Sequence, residues 1–398
     1  MDIIIKNGNF TIEYIKDATQ LAECVQYLSK TSVFAFDLEF DKNRYKYGFN
    51  LCLIQIATAQ RCFVIDPLEN IKLQELFKLF ENPNITKLVH SGGEDMRLLQ
   101  HLKCYPKNVF DTEISAKLLN YEHTSLAKLL ELKFEITLDK TQQASNWTLR
   151  PLSMQQIKYS SNDVIYLLSL KEIFDKELKE KGLFEYFQQE NTYLSNVKFE
   201  QETSAGVATD YLSKDDKRTL SEYQQYVLQE MLAFRETIAK KTQKPTTQVV
   251  ANQTMRDIVA GNMQISNWMT MSGIYWKIKT EEYQQKFNEK YTQILEEADK
   301  KSLSKDVEAQ QRFSDEQYEL FKAQRKLQDA IFDKTFQPIQ AQIAKKYGVF
   351  AGRFMFSTNL VMEIIKKHKK ITELSFPYRI EMILQTANDL KIDINEYK

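Results

Sequence analysis

At 398 residues, with 43% hydrophobic and 27% charged side chains, the chain is too long for one ordinary core and predicts two or three globular domains. No apolar stretch approaches the ~18 residues of a membrane span, and the opening Met1-Asp2-Ile3-Ile4-Ile5-Lys6 lacks the regions of a signal peptide. A cytoplasmic chain with no membrane partner is expected. Formal net charge is zero, which alone gives no argument for nucleic acid, although residues 1–190 carry 23 Lys and Arg against 26 Asp and Glu, and the remainder reverses that excess.

Short strands (Ile3 to Ile5, Phe10 to Ile15) are followed by a helix whose apolar face is Ala18, Leu21, Ala22, Val25 and Leu28. The apolar run from Val33 then reads as a buried strand holding Phe36-Asp37-Leu38-Glu39-Phe40. Side chains alternate along an extended backbone, so Asp37 and Glu39 share a face. Burying two like charges is costly unless something positive neutralises them, and a hard divalent cation with oxygen ligands is the natural partner. A polar, Tyr-rich connection, Asp41 to Asn50, leads to strands Leu51 to Ala57 and Cys62 to Asp66, joined by the turn Thr58 to Arg61. A helix from Leu73 to Phe80 ends at the turn Asn82-Pro83-Asn84. The four cysteines, Cys24, Cys52, Cys62 and Cys104, have no paired close spacing and read as reduced core thiols.

Lys87 to Leu99 reads as a strand running into a helix, with Ser91 and Glu94 at capping-box spacing. Asp95 then falls in the first helical turn, at the end of a strand parallel to the Asp37 strand, and sites in α/β sheets gather at such ends. The bland alternative is that Asp95 only favours the positive end of the helix dipole. Asp111 to Leu132 looks helical. The polar stretch Asp139 to Pro151 is a loop containing Trp147 and Arg150, of the kind that grips a phosphate and stacks a base, or whose aromatic pins it to the core. A helix then runs from Ser153 to Phe174, placing Tyr159 and Asp163 one turn apart on one face.

Residues 175–218 are charged and Gln-rich, with a helix end at Lys181-Gly182 and a linker from Glu200 to Lys217. Everything beyond looks helical. Ile238-Ala239-Lys240-Lys241 recurs as Ile343-Ala344-Lys345-Lys346, followed in each case by a polar cap (Asn252, Ser357) and an apolar pair (Met255 and Val259, Leu360 and Ile364). This predicts two copies of a small helical domain, with a long charged helix or hairpin (281–316) inserted between them. The expected division is 1–190, a linker over 191–218, and helical domains over 219–300 and 301–398.

Asp37, Glu39, Asp95 and Asp163, with Tyr159, are the set needed for two-metal phosphodiester hydrolysis, in which two divalent ions ~4 Å apart clamp the attacking and leaving oxygens. Mg²⁺ suits such a set, with Mn²⁺ as the other candidate. Tyr159 would orient the attacking water; accepting its proton would need a phenol pKa of ~10 to fall.

The constellation resembles the DEDD exonuclease superfamily, its tyrosine branch, and within that RNase D. The motifs are Phe36-Asp37-Leu38-Glu39-Phe40, Val89-His90-Ser91-Gly92-Gly93-Glu94-Asp95 and Tyr159-Ser160-Ser161-Asn162-Asp163, framed by Phe110-Asp111-Thr112 and Leu149-Arg150-Pro151-Leu152. The histidine branch would carry His where this chain has Lys158. The tandem helical segments resemble the HRDC module. The resemblance implies an α/β RNase H-like three-layer exonuclease domain followed by all-α HRDC-like domains; nothing in the sequence calls for more than a monomer. It implies removal of 3′-terminal nucleotides as monophosphates from RNA with a single-stranded 3′ end, such as tRNA precursors. It also implies that Asp37 bridges both metals, that Glu39 and Asp163 hold the nucleophile-side metal, and that Asp95 holds the other. Phe40, His90, Trp147 and Arg150 would contact substrate, and Lys240-Lys241 and Lys366 to Lys370 are candidates for phosphate contact. The rival readings are a DNA 3′-5′ exonuclease, separated only by recognition of the 2′-hydroxyl, and a catalytically inactive RNA-binding scaffold.

Overall fold

The computed structural model describes residues 3–7, 10–139, 141–199, 211–307 and 315–398. Its backbone divides into two compact units: Met1–Glu39, Leu51–Phe199 and Asp315–Lys398 form the first, and Phe40–Asn50 and Glu200–Ser314 the second.

A seven-stranded sheet carries the first unit. Strands β1 (Ile3–Asn7), β2 (Phe10–Ile15), β3 (Val33–Lys42), β4 (Phe49–Ala57), β5 (Arg61–Ile65), β6 (Thr86–Val89) and β7 (Val109–Asp111) lie in the order β1-β2-β5-β4-β3-β6-β7. Pairing is mixed: β2 with β5, β3 with β6 and β6 with β7 are parallel, and β1 with β2 and β4 with β5 antiparallel. Helices α1 (Ala18–Leu28) and α2 (Gln74–Glu81) follow the early strands. Asp17 caps α1 by accepting from the Gln20 N–H, and Leu21, Cys24 and Leu28 form its buried stripe. The remaining helices of this part are α3 (Gly93–His101), α4 (Thr112–Leu118), α5 (Leu126–Phe134), α6 (Met154–Ile165), α7 (Leu167–Glu180) and α8 (Phe184–Asn196). This is the α/β layout expected. All four cysteines are free and buried.

Several expected boundaries differ. The segment from Asp111 to Leu132 is broken: Asp111 ends β7 and caps α4, and Asn120 adopts a left-handed turn (φ 68°) before α5 begins. The helix read from Ser153 to Phe174 starts with a Ser153–Gln156 capping box but ends at Tyr166, where α7 takes over. The stretch read as a linker from 191 begins inside α8, which buries Phe187, Glu190 and Asn191; residues 200–210 lie outside those described.

The second unit contains α9 (Lys214–Thr219), α10 (Glu222–Thr242), α11 (Thr246–Val249), α12 (Asn252–Val259) and α13 (Glu281–Lys300). Helix α13 is not an insert between the copies. Phe287, Ile294 and Ala298 are buried on it, and the Phe287 ring packs against Trp268 at 4.4 Å and Phe234 at 5.0 Å. It therefore closes the core of this unit. Ala251, not Asn252, stands at the N-cap of α12, and the Asn252 side-chain oxygen accepts from Arg235 at 2.7 Å.

Helices α14 (Asp315–Ile331), α15 (Gln337–Tyr347), α16 (Val349–Met355), α17 (Thr358–Ile365) and α18 (Pro377–Asp389), where the second helical domain is expected, belong to the first unit. Two polar anchors tie them there. The Asn120 side-chain oxygen accepts from the Phe350 and Ala351 N–H groups at 2.8 and 3.1 Å, satisfying the start of α16. Buried Glu190 on α8 accepts from the Tyr378 hydroxyl at 2.5 Å and from Arg379 Nη2 at 2.6 Å, and Tyr186 stacks on Tyr378 at 4.3 Å. Removing one partner of a buried charge pair strands the other. Glu190→Ala is therefore expected to lower the stability of the first unit by about 3–5 kcal/mol. Urea unfolding checks it; a loss below about 0.5 kcal/mol would show that the pair is dispensable.

Candidate active site

The pleat of β3 sorts its side chains. Phe34 and Phe36 point to one face, where both rings meet Phe80 of α2 edge-on at 5.4 and 5.0 Å. Ala35, Asp37 and Glu39 therefore point to the other. On that side Ala35 shares a core with Ile157 and Val164 of α6. The same helix brings Asp163 to the strand: one carboxylate oxygen each from Asp37, Glu39 and Asp163 lies within 4.8 Å of the others. Tyr159, one turn earlier on α6, is half-buried beside them.

Asp95 arrives from β6, which runs parallel to β3 with Ala35 opposite Leu88. The turn between β6 and α3 is not held by the expected capping box. Gly92 occupies the N-cap and Ser91 adopts φ 59°. The Asp111 carboxylate, at the end of β7, fixes the turn by accepting from the Ser91 and Gly92 N–H groups, both at 3.0 Å. Gly92 is required by space, because a Cβ there would lie 2.6 Å from a Val89 methyl. Asp95 is left in the first turn of α3, buried, with its own N–H and that of Leu38 directed at its carboxylate.

The electrostatics follow from this convergence. Burial, then Asp95, Asp163 and Glu39, raise the Asp37 pKa well above the usual carboxylate range. Burial, then Asp163 and Asp95, do the same to Glu39. Asp95 and Asp163 are each pushed up to about 7, chiefly by burial. The Tyr159 phenol is also raised, by burial first and then by Asp163, Glu39 and Asp37. Without a cation among the acids the phenol is therefore a hydrogen-bond donor. Like charges held this close favour a cation among them, and an all-carboxylate oxygen set is the donor chemistry of a hard divalent ion. Asp37, Glu39 and Asp163 fit such an ion.

Of the outer candidates, Arg150 is placed differently from expectation, and Trp147 takes the core-pinning alternative. Arg150 is not a free phosphate clamp. All five of its N–H groups are committed: Nε and Nη2 to the buried Asp66 carboxylate, Nη2 also to Cys52 O, and Nη1 to Trp147 O and Leu149 O. The Tyr14 hydroxyl donates to the same Asp66. Trp147 is 4% exposed and stacks on Tyr159 at 6.2 Å, so its ring backs the phenol and has no open face for a base. His90 is half-buried and lies 2.9 Å from Thr112 Oγ1, bracing the second motif; burial lowers its pKa and keeps the ring neutral. Phe40 stands edge-on to Phe49 at 5.1 Å. Asp66 and Asp111 are structural acids that sequence pattern alone does not single out: Asp111 stands in a framing motif and Asp66 at the end of a strand, and their partners lie far off in the chain.

Among the described residues, no helix is long and apolar enough to cross a membrane. The family model described as 3′-5′ exonuclease matches residues 12–179. Ribonuclease D of Shewanella sp. (strain ANA-3) is 30% identical over 230 residues, which cover 57% of this chain and 56% of that protein. Ribonuclease D of Zymomonas mobilis is 35% identical over 188 residues, 46% of this chain and 47% of that one. The chain thus spans about half the length of these curated relatives. Among solved structures, Escherichia coli RNase D, titled an exoribonuclease involved in structured RNA processing, superposes with a TM-score of 0.64 at 18% identity, covering 94% of this chain and 98% of that one. The catalytic core of RRP6 from Trypanosoma brucei gives 0.63 at 23% identity, covering 75% and 83%. Both structural likenesses are of fold.

If Arg150 is a buried structural partner, Arg150→Ala strands Asp66 and costs about 3–5 kcal/mol of stability. The melting temperature reports this. An unchanged melting temperature together with weakened RNA binding would return Arg150 to the substrate.

Proposed function

We propose that this chain, whose residues 12–179 match the family model described as 3′-5′ exonuclease, is an RNase D-like exoribonuclease of the DEDD superfamily that releases 3′-terminal nucleotides as monophosphates. The convergence of Asp37, Glu39 and Asp163 within 4.8 Å, beside Asp95 and Tyr159, carries the reading.

Asp37, Glu39 and Asp163 would hold one divalent cation, and Asp37 with Asp95 a second. Mg²⁺ is the ion of choice, because a few carboxylates suffice for it and its other positions remain for water and phosphate; Mn²⁺ accepts the same donors. When bound, these ions supply positive charge to the phosphoryl oxygens and acidify a water. The protein's own groups do the positioning. Asp37 and Glu39 are fixed by a central strand, Asp95 by the pinned turn, and Asp163 by a helix packed across the sheet. Tyr159, backed by Trp147, holds a hydrogen bond to the attacking water or to the scissile phosphate. Water attacks the terminal phosphorus, the bond to the preceding 3′ oxygen breaks, and a 5′-monophosphate leaves. Phe40, next to Glu39 in the chain, is the candidate for packing on the terminal base. The substrates assigned are structured RNAs with a single-stranded 3′ tail, of the tRNA-precursor kind, handled by a monomer in the cytoplasm.

A 5′-labelled single-stranded RNA with Mg²⁺ should give a ladder shrinking from the 3′ end, abolished by EDTA. Asp37→Ala is expected to lose at least about 10³-fold in rate and Tyr159→Phe about 10²-fold. Faster hydrolysis of a matched DNA would move the assignment to a DNA exonuclease. Retained binding with no cleavage of either strand, in Mg²⁺ or Mn²⁺, would overturn the enzyme and leave a scaffold.

A further inference from the structure

The chain has three tryptophans, and two of them, Trp147 and Trp268, are buried. The third, Trp276 in the second unit, is 71% exposed, more than any other large hydrophobic side chain among the described residues. Its surroundings are unlike a core margin. Between Lys240 and Thr280 the sequence holds five lysines and one arginine against a single acid, Asp257, and that arginine, Arg256, is engaged by Asp216. The lysines remain. Lys277 Nζ lies 5.3 Å from the Trp276 ring centre, Lys244 Nζ lies 5.7 Å from that of Tyr275, and the two rings meet edge-on at 5.9 Å. Glu282, the acid that acts on Lys241, is already paired with Lys286 at 2.5 Å.

The segment is also held in place. Ile274 and Ile278, on either side of the aromatic pair, are buried. Ile274 bridges to Val250, the Tyr275 N–H donates to Val249 O at 2.9 Å, and Trp268 Nε1 donates to Ile278 O at 2.7 Å. Trp276 opens a short 3₁₀ turn, and its own carbonyl accepts from the Lys279 N–H at 3.2 Å. The exposed indole is thus presented by a backbone anchored on both sides.

We propose that Trp276 and Tyr275, with Lys244, Lys277 and Lys279, form a stacking platform for unpaired RNA bases upstream of the 3′ end. Single-strand binders combine aromatic faces, on which any base can stack, with lysines that track the phosphates. A protein partner fits less well, because the cores of protein interfaces are depleted in lysine. The identity of the strand rests on the exoribonuclease reading; the platform itself rests on the exposure, anchoring and charge of this surface.

The test uses the full-length protein in EDTA with a fluorescein-labelled 16-nucleotide oligouridylate, followed by anisotropy across a salt series. Trp276→Ala should weaken binding about tenfold with the salt slope unchanged, and Trp276→Tyr should restore most of it. Lys277→Gln with Lys279→Gln should flatten the slope by about 0.7 per lysine. Hydrolysis of a dinucleotide in Mg²⁺, which offers no upstream base, should proceed at the wild-type rate in Trp276→Ala. Wild-type RNA affinity in Trp276→Ala at an unchanged melting temperature would overturn the platform and leave the surface to a protein. If Trp276→Ala melts early, Trp276→Tyr and the lysine pair decide by the same criteria. Weakened binding in Trp276→Ala, in a protein whose wild type hydrolyses nothing, would retain the platform and reject the exoribonuclease.

Discussion

Four carboxylates gathered in one partly buried place repel one another, and the rest of the first unit is arranged to hold them there. Each comes from an element whose position is fixed by something else. Phe34 and Phe36 lock β3 against α2, so the opposite face must present Asp37 and Glu39. Ile157 and Val164 bury α6 on the sheet, so its turn carrying Tyr159 and Asp163 cannot retreat. Folding energy from ordinary apolar packing sustains an electrostatic cost that the acids alone would relieve by moving apart or taking up protons.

The acids of the molecule thereby fall into two kinds. Asp66 faces Arg150, Glu190 faces Arg379, and Asp216 faces Arg256, each bonded at short range to a guanidinium. Asp216 is held well below the usual carboxylate range, the Arg256 bond being the largest cause. These pairs are structural, joining segments distant in sequence. Asp37 and Glu39 instead face other acids, and their pKa values move opposite to that of Asp216. That contrast, more than the acidity itself, marks where a cation belongs. Asp111 is a third case: its partners are backbone N–H groups, and it converts a cramped glycine turn into a fixed entry for Asp95.

The reacting set was legible because its geometry is local. A two-residue step in a strand and a four-residue step in a helix decide which side chains share a face before any tertiary contact is known. Asp95 was placed in the right turn for the wrong reason: Ser91 and Glu94 have capping spacing, but the turn is held from Asp111, twenty residues on. The polar neighbours of Trp147 and Arg150 leave open whether the loop meets substrate or the core, because the partners that bury them, Tyr159 and Asp66, lie elsewhere in the chain. The 105-residue echo located the ends of α10 and α15 and the apolar faces of α12 and α17. It misjudged α13, whose buried Phe287, Ile294 and Ala298 are diluted by charged residues.

A cation site at the acidic cluster is measurable without any substrate, through cation binding itself. Burial pushes Asp95 and Asp163 up to about 7, Asp95 despite two backbone N–H groups directed at it, and Asp37 and Glu39 are raised as well. A divalent ion favours the ionised forms, so binding must expel protons below and around pH 7 and expel progressively fewer as pH rises above it. Calorimetric titration with Mn²⁺ at pH 6.5 and pH 8.5, each in two buffers of different ionisation enthalpy, counts those protons. The predicted result is saturable binding with clear proton release at pH 6.5, less at pH 8.5, and loss of the strong site in Asp37→Ala. Binding without proton release at pH 6.5, or unchanged in Asp37→Ala, would contradict the account.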